Sequence, residues 1–569
     1  MHQEIGVSRI TRSDETRGLD RPAERSGSSR TVRDLLWVAL AAGFFFFVAL
    51  GARDLWNPNE PIYGRAVVEM AERGDWTTPT VNGRVFAEKP ILYFWLARTA
   101  SLAVGEISEL SLRIPSAIAG VASVLLTYLL VLQYAGRRRA LIAAALFATS
   151  YQVFWAARSV QMDILVLATT LGALLPLTRM LDFGMRPSRA WLLAGTAAGI
   201  GFVAKGPVTW ILPGLVILSY ALSQRKLHLL WSRWIAAGAV VAIVIASPWY
   251  LALWLSNETA FLHEVLIRQN FNRFVSAWDH QRPWWYYITN LWTDYAPWSL
   301  LLPAALLGRS RSERERRLEQ LSWIWIGAIV VFFSLADGKR SPYILPIAPA
   351  VAALAASVFD RWSTRALVPR ARIAASAAIV LMIAALLGGG IYGMFFDTGA
   401  PQALQGEVFL LGIFLFVAGG SLLVWLASHR DSRRFAPTAL LLVVVASYVV
   451  TVTQVLPAAD SVKSARGFSA AMAETVDATD GTVASYGLWS WRAEYAFYGR
   501  RIIPSLRESE LLSFWRKHPR PYVVVEKPDR DRVRTLLPDA ALILTEKIGS
   551  REAFLFGKPP REAGSAPGH

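Results

Sequence analysis

The chain has 569 residues, 54% of them hydrophobic and 18% charged, with a formal net charge of +17 and no cysteine. Runs of close to 20 residues without a charge recur along it, about the length that crosses the hydrocarbon core of a bilayer, and this excludes an ordinary water-soluble domain. The lack of cysteine excludes disulfides and thiolate metal sites from any exported part.

In chain order, residues 1–34 are polar, mixed in charge and without the apolar stretch of a cleavable signal peptide. They read as a disordered basic cytoplasmic tail. Thirteen apolar spans follow, at 35–51, 111–134, 138–156, 160–181, 190–204, 207–223, 234–255, 291–308, 320–336, 342–360, 371–395, 407–427 and 436–457. They are too long for barrel strands, and backbone groups in lipid must pair within their own segment, so the spans are helices. An external loop, 52–110, separates the first two. Beyond residue 459 the pattern changes. Short β-like runs at 482–486, 522–525 and 541–544 alternate with helical stretches at 466–477 and 508–518, the mark of a small soluble α/β domain over 460–569. The fold class is therefore an α-helical polytopic membrane protein, its transmembrane unit covering 35–459, with a C-terminal α/β domain.

Basic residues set the orientation. Arg9 to Arg33 in the tail, Arg137 to Arg139, Arg225 to Arg233, Arg309 to Arg317, Arg361 to Arg372 and Arg430 to Arg434 lie at alternate ends of the spans. Under the positive-inside rule these ends are cytoplasmic, so the N-terminus is inside and the C-terminal domain is outside, in the periplasm of a bacterial inner membrane. The excess charge is then a topological signal and does not point to nucleic acid.

The unusual polar groups collect at the other ends. Asn59, Glu60, Glu88 and Lys89 lie in 52–110; Asp163 opens the fourth span; Lys205 closes the fifth; Glu264, Asn270, Arg273 and His280 lie in 256–290; Asp337, Lys339, Arg340 and Tyr343 precede the tenth. Ionisable groups beside an apolar span are costly, and five such groups on one face point to a site. Each also has a structural reading: Asn59 as a helix cap, Asp163 as an acid at a helix N-terminus, Lys89 and Lys205 as side chains reaching to the interface. Two histidines in the external 256–290 loop without an acid cluster at ligand spacing do not support a divalent metal, and no cofactor follows from the sequence.

The ordered set Trp56-Asn57-Pro58-Asn59-Glu60, Tyr63, Gly74-Asp75-Trp76, Asn82-Gly83, Glu88-Lys89-Pro90 and Tyr93-Phe94-Trp95 resembles the first external loop of the bacterial aminoarabinose lipid A transferases and their protein O-mannosyltransferase relatives. Gly201 to Pro207 and Phe333 to Pro346 extend the resemblance over roughly residues 35–360. It implies a GT-C glycosyltransferase that takes a sugar from a polyprenyl-phosphate carrier and passes it to a lipid A-like lipid or a protein. It also implies roles. Lys89 and Arg273 match phosphate-contacting positions, Lys205 a site lysine and Tyr343 a tyrosine near the phosphate, with Tyr63, Glu88, Asn270 and Lys339 in the same substrate-binding set.

The chemistry agrees with these residue types, because a departing polyprenyl phosphate needs fixed cations and an acceptor needs a carboxylate to orient or deprotonate it. Where the family has an aspartate this chain has Asn59, which cannot take a proton, so Glu60 or Asp163 is the expected base. The family's arginine near this pair is Ile62, and the arabinosyl enzymes' histidine is Asn270. Two other classes share many of these features. A lipid-linked-sugar flippase would show inverted repeats and polar groups at the midplane, and a catalytically degenerate envelope-assembly protein is compatible with Asn59.

Overall fold

A computed structural model describes residues 21–256, 258–272, 280–310, 312–396 and 401–558; the side chains of 21–28, 270–272 and 430–432 are outside that description. Helix α1 (Arg21–Phe47) begins fourteen residues before the expected first span, correcting the disordered reading of that part of the tail. Pro22 stands in the opening turn, where its missing N–H costs nothing, and Asp34, midway along the helix, pairs with Arg137 at 2.6 Å.

The stretch expected as an external loop is mostly regular. It holds α2 (Asn59–Glu72), a hairpin of β1 (Thr80–Val81) and β2 (Arg84–Val85), and α3 (Leu92–Val104). Asn82 and Gly83, both at positive φ, make the two-residue turn that such a tight hairpin favours. Glu69 ties the hairpin to α2, accepting hydrogen bonds from the Thr80 hydroxyl at 2.6 Å and the Asn82 N–H at 2.7 Å.

The expected second and third spans merge into α4 (Glu109–Ala148), whose non-helical residue is Gly136 at φ 77°, followed by the short α5 (Tyr151–Ala157). Then come α6 (Asp163–Phe183), α7 (Pro187–Lys205), α8 (Val208–Ser223), the single turn α9 (Leu227–Leu230) and α10 (Trp234–Leu255). Farther on, the helices Glu313–Leu335, Ala348–Ser363, Pro369–Phe395 and Gln402–Ser428 complete most of the bundle. Among the described residues eight helices are long and apolar enough to cross a membrane. The expected 291–308 span divides at Tyr295–Pro297 into Tyr286–Asp294 and a Trp298–Leu307 segment.

Small residues let α7 and α10 approach closely. Gly195 and Gly199 are spaced as in small-xxx-small contacts, and a Cβ built on Gly195 would lie 2.2 Å from the Gly238 carbonyl oxygen.

The C-terminal sheet runs β4-β3-β5-β7-β6, from β3 (Thr482–Tyr486), β4 (Ser505–Leu506), β5 (Pro521–Glu526), β6 (Ala541–Ile548) and β7 (Arg551–Gly557). β3 is parallel to β4 and β5, and β7 is antiparallel to both its neighbours. One face of the sheet packs on Phe468 and Met472, the other on Leu511 and Trp515, so β5 is buried along its whole length. This unit grips the start of α2. Arg466 bonds Asp54 at 2.6 Å, Trp56 Nε1 donates to Asp460 at 2.7 Å, and Asn57 donates to Glu494.

Candidate active site

The break between α7 and α8 builds the centre of the site. Gly206 holds φ 76° and ψ −155°, a conformation L side chains avoid, and Pro207 then starts α8. Lys205 is thereby left at the last position of α7, and Asp163 stands at the first position of α6, each where its charge complements the helix dipole. The two side chains form an ion pair, both partly exposed. Gln161 donates to the other Asp163 oxygen at 3.3 Å, and the charge of Arg340 also reaches this carboxylate.

Tyr343 completes the group. It sits in the 3₁₀ turn Ser341–Ile347, which Pro342 opens and whose Tyr343 N–H bonds the Arg340 carbonyl at 3.0 Å. The Lys205 ammonium lies 4.9 Å from the Tyr343 ring centroid, within cation–π range. Phe333 backs the same ring at 5.4 Å.

Glu88 and Lys89, Asp163, Lys205 and Tyr343 all line one cavity of about 380 Å³. Its other walls are largely apolar: Val208, Ile211 and Leu212 from α8, Phe332 and Phe333 from the helix Glu313–Leu335. The π-helical segment Glu264–Asn272 adds Val265 and Gln269. Two lysines and two carboxylates, Glu88 and Asp163, in one cavity with largely apolar walls can hold an anionic head group and the apolar chain attached to it.

Other predicted site residues fall elsewhere. Glu60 is not at the cavity. Its carboxylate is buried, paired with Arg53 at 2.6 Å and Arg113 at 3.0 Å, and it also accepts the backbone N–H groups of Trp56 and Val160. Burial opposes its ionisation, but the guanidiniums of Arg113 and Arg53 prevail and hold its pKa at about 2. A carboxylate so committed is a poor proton acceptor near neutrality, which corrects the expectation of Glu60 as base. Tyr63 is also corrected: it is buried against Phe94 at 5.9 Å and Phe86 at 6.3 Å, as core. Asn59 is half-buried at the start of α2, outside the lining, and the cap position is Pro58. Lys339 is buried one residue beyond the lining Gly338, its ammonium bonded to the Ala336 carbonyl. The side chain of Asn270 and all of Arg273 lie outside the described residues.

Sequence reasoning missed Arg53 and Arg113. An arginine at the head of an apolar span is costly unless paired, and that was the available signal for Arg113. The groove walls Ile211, Leu212 and Val265 carried none, since an apolar residue facing a cavity is spelled like one facing lipid.

The profile of the dolichyl-phosphate-mannose-protein mannosyltransferase family matches residues 88–252, the stretch carrying Glu88, Lys89, Asp163 and Lys205. The undecaprenyl phosphate-α-4-amino-4-deoxy-L-arabinose arabinosyl transferase of Pseudomonas aeruginosa (strain UCBPP-PA14) is 31% identical over 449 residues, 76% of each chain. That of Pseudomonas paraeruginosa (strain DSM 24068 / PA7) is 32% identical over 437 residues, 74% of each. Among solved structures, ArnT from Cupriavidus metallidurans bound to undecaprenyl phosphate superposes with a TM-score of 0.73. The match covers 94% of this chain and 99% of that one at 21% identity, a likeness of fold.

Proposed function

We propose that this chain, which belongs to the undecaprenyl phosphate-α-4-amino-4-deoxy-L-arabinose arabinosyl transferase family, transfers aminoarabinose from undecaprenyl phosphate to a lipid A-type acceptor. It is a membrane glycosyltransferase using a polyprenyl-phosphate donor. The observation that carries the reading is the placing of Lys89, Lys205, Asp163 and Tyr343 around a single apolar-walled cavity.

In this reading the polyprenyl chain lies against Ile211, Leu212 and Phe332, and the carrier phosphate meets Lys205 and Lys89. The sugar C1–O bond to phosphate breaks, the electron pair leaves with the phosphate, and the two ammonium groups neutralise the charge as it develops. An acceptor oxygen forms the new bond to C1. Asp163 is the carboxylate that orients this oxygen or takes its proton; with an acceptor phosphate, already anionic, only orientation is required. The phosphate competes with Asp163 for Lys205, which frees the carboxylate as the donor binds.

The basic span ends support a cytoplasmic N-terminus, and the cavity then opens on the external face of a bacterial inner membrane. The test is mass spectrometry of products made by the purified protein from undecaprenyl phosphate-linked aminoarabinose, with lipid A and an envelope protein extract as competing acceptors. Lipid A heavier by one aminoarabinose residue is the expected outcome. Modified protein with unmodified lipid A overturns the acceptor, and no product from either overturns the transferase reading.

A further inference from the structure

The far end of α6 carries a second, unrelated cluster of charge. Arg179 lies sixteen residues beyond Asp163, about 24 Å along the helix, at the opposite end of the bundle from the candidate active site. There Arg179, Arg186, Arg189 and Arg314 line a cleft of about 750 Å³ with Gln133 and Phe183. None of the four pairs with a carboxylate among the described residues. The acids closest to them in the chain are committed to other cations: Asp182 to Lys226 at 2.9 Å and Arg317 at 3.6 Å, Glu313 to Arg316 at 2.7 Å, and Glu315 to Arg139 at 3.1 Å.

The cleft is also organised. Arg179 is half-buried, and its Nε donates to Gln133 Oε1 at 3.0 Å, which fixes the plane of its guanidinium. Its charge and that of Arg189 act on one another, a repulsion that an anion between them would relieve. On α7, Leu192 and Leu193 stand three and four residues beyond Arg189, on the same face, and both are exposed. The arginine cleft thus lies beside exposed apolar side chains of the same helix.

We propose that this cleft binds the phosphate of an anionic membrane lipid, in the leaflet opposite the candidate active site, with an acyl chain along Leu192 and Leu193. Four arginines suit a lipid carrying two phosphates, since each guanidinium can meet phosphate oxygens in a bidentate manner.

The experiment uses the full-length protein purified in detergent, and native mass spectrometry counts retained lipid after exposure to cardiolipin, to phosphatidylcholine or to inorganic phosphate. The wild type should retain cardiolipin over phosphatidylcholine by about tenfold or more, the scale of one lost charge-assisted contact of about 1.4 kcal/mol. Arg186 and Arg189 are exposed, so Arg186→Gln/Arg189→Gln should fold normally and lose that preference. Arg370→Gln, an exposed arginine away from the cleft, should keep it. Equal retention by the double variant and wild type overturns the site, as does equal loss in Arg370→Gln, which would mean a general effect of basic ends. Displacement of cardiolipin by millimolar inorganic phosphate would assign the cleft to a free anion and overturn the lipid. The readout is independent of sugar transfer, so its failure and that of the proposed function are distinguishable.

Discussion

Glu60 and Asp163 are two carboxylates that the sequence placed on one face, and the structure separates them by what surrounds each. Glu60 is closed in by Arg53 and Arg113, so Glu60→Gln leaves two buried guanidiniums without their counter-charge. Breaking a buried pair in this way costs about 3–5 kcal/mol, and the variant should show a lowered thermal midpoint in detergent. The sign with pH follows from the depressed pKa: stabilisation by Glu60 is full above its ordinary value of 4.5 and is lost as pH falls towards about 2. The shift is worth roughly 3 kcal/mol. Unfolding midpoints of the wild type should therefore fall between pH 4.5 and 2, and this component should be missing in Glu60→Gln. An unchanged midpoint in Glu60→Gln at pH 7 would return Glu60 to the list of candidate bases. Asp163→Asn, by contrast, should leave stability near the wild-type level and reduce transfer by about 10²–10⁴-fold if it takes a proton; a mild loss would mean that it only orients the acceptor. The motif around Glu60 was legible in the sequence because its residue types are unusual there. Its role was not, because the partners Arg53 and Arg113 come from separate elements that only folding brings together.

The helices were legible wherever apolar length alone defines them, as for α6, α10 and the long helices after residue 312. Within the external stretch 52–110 the start of α2 was legible in the reading of Asn59 as a helix start, but α3 was not, because it buries its apolar face against neighbouring protein and is too short to read as a span. Asp75 shows the same difficulty on a smaller scale: it looks like a site acid, yet it caps a turn by accepting the Thr77 N–H at 2.7 Å and the Thr77 hydroxyl at 2.7 Å. Close packing of α7 on α10 is a property of the element pair, and the break at Gly206 depends on α7 keeping its position. Gly195→Val would place methyl groups on the Gly238 backbone, which cannot rotate away as a side chain can. Overpacking of this kind costs about 1–3 kcal/mol, so the variant should melt earlier and transfer more slowly, whereas Gly214→Ala, with open space at its Cβ, should change neither. Equal behaviour of the two variants would remove α7–α10 packing as a support of the site.

At the scale of the whole molecule, one end of the bundle carries Lys89, Asp163, Lys205 and Tyr343 and the grip of the C-terminal sheet on α2, and the other carries the arginine-rich turns. Reporter fusions near residues 138, 280, 365 and 500 should read inside, outside, inside and outside; an inside reading at 500 would invert the proposed topology. The division of charge between the two ends was readable from the sequence, since Lys and Arg are counted without knowing any contact. The cavity at the charged end was not, because it is a shape made by five separate segments. Lys205 belongs to both the charge and the shape, pairing with Asp163 and lying over the Tyr343 ring, and it is the residue on which the account depends most. The decisive measurement is the kcat/KM for sugar transfer from undecaprenyl phosphate-linked aminoarabinose by purified Lys205→Ala beside the wild type, with thermal midpoints compared. Loss of one preorganised cation facing the leaving phosphate should lower it by about 10²–10³-fold at a nearly unchanged midpoint, whereas wild-type transfer by a folded Lys205→Ala protein would contradict the placement of the reaction in this cavity.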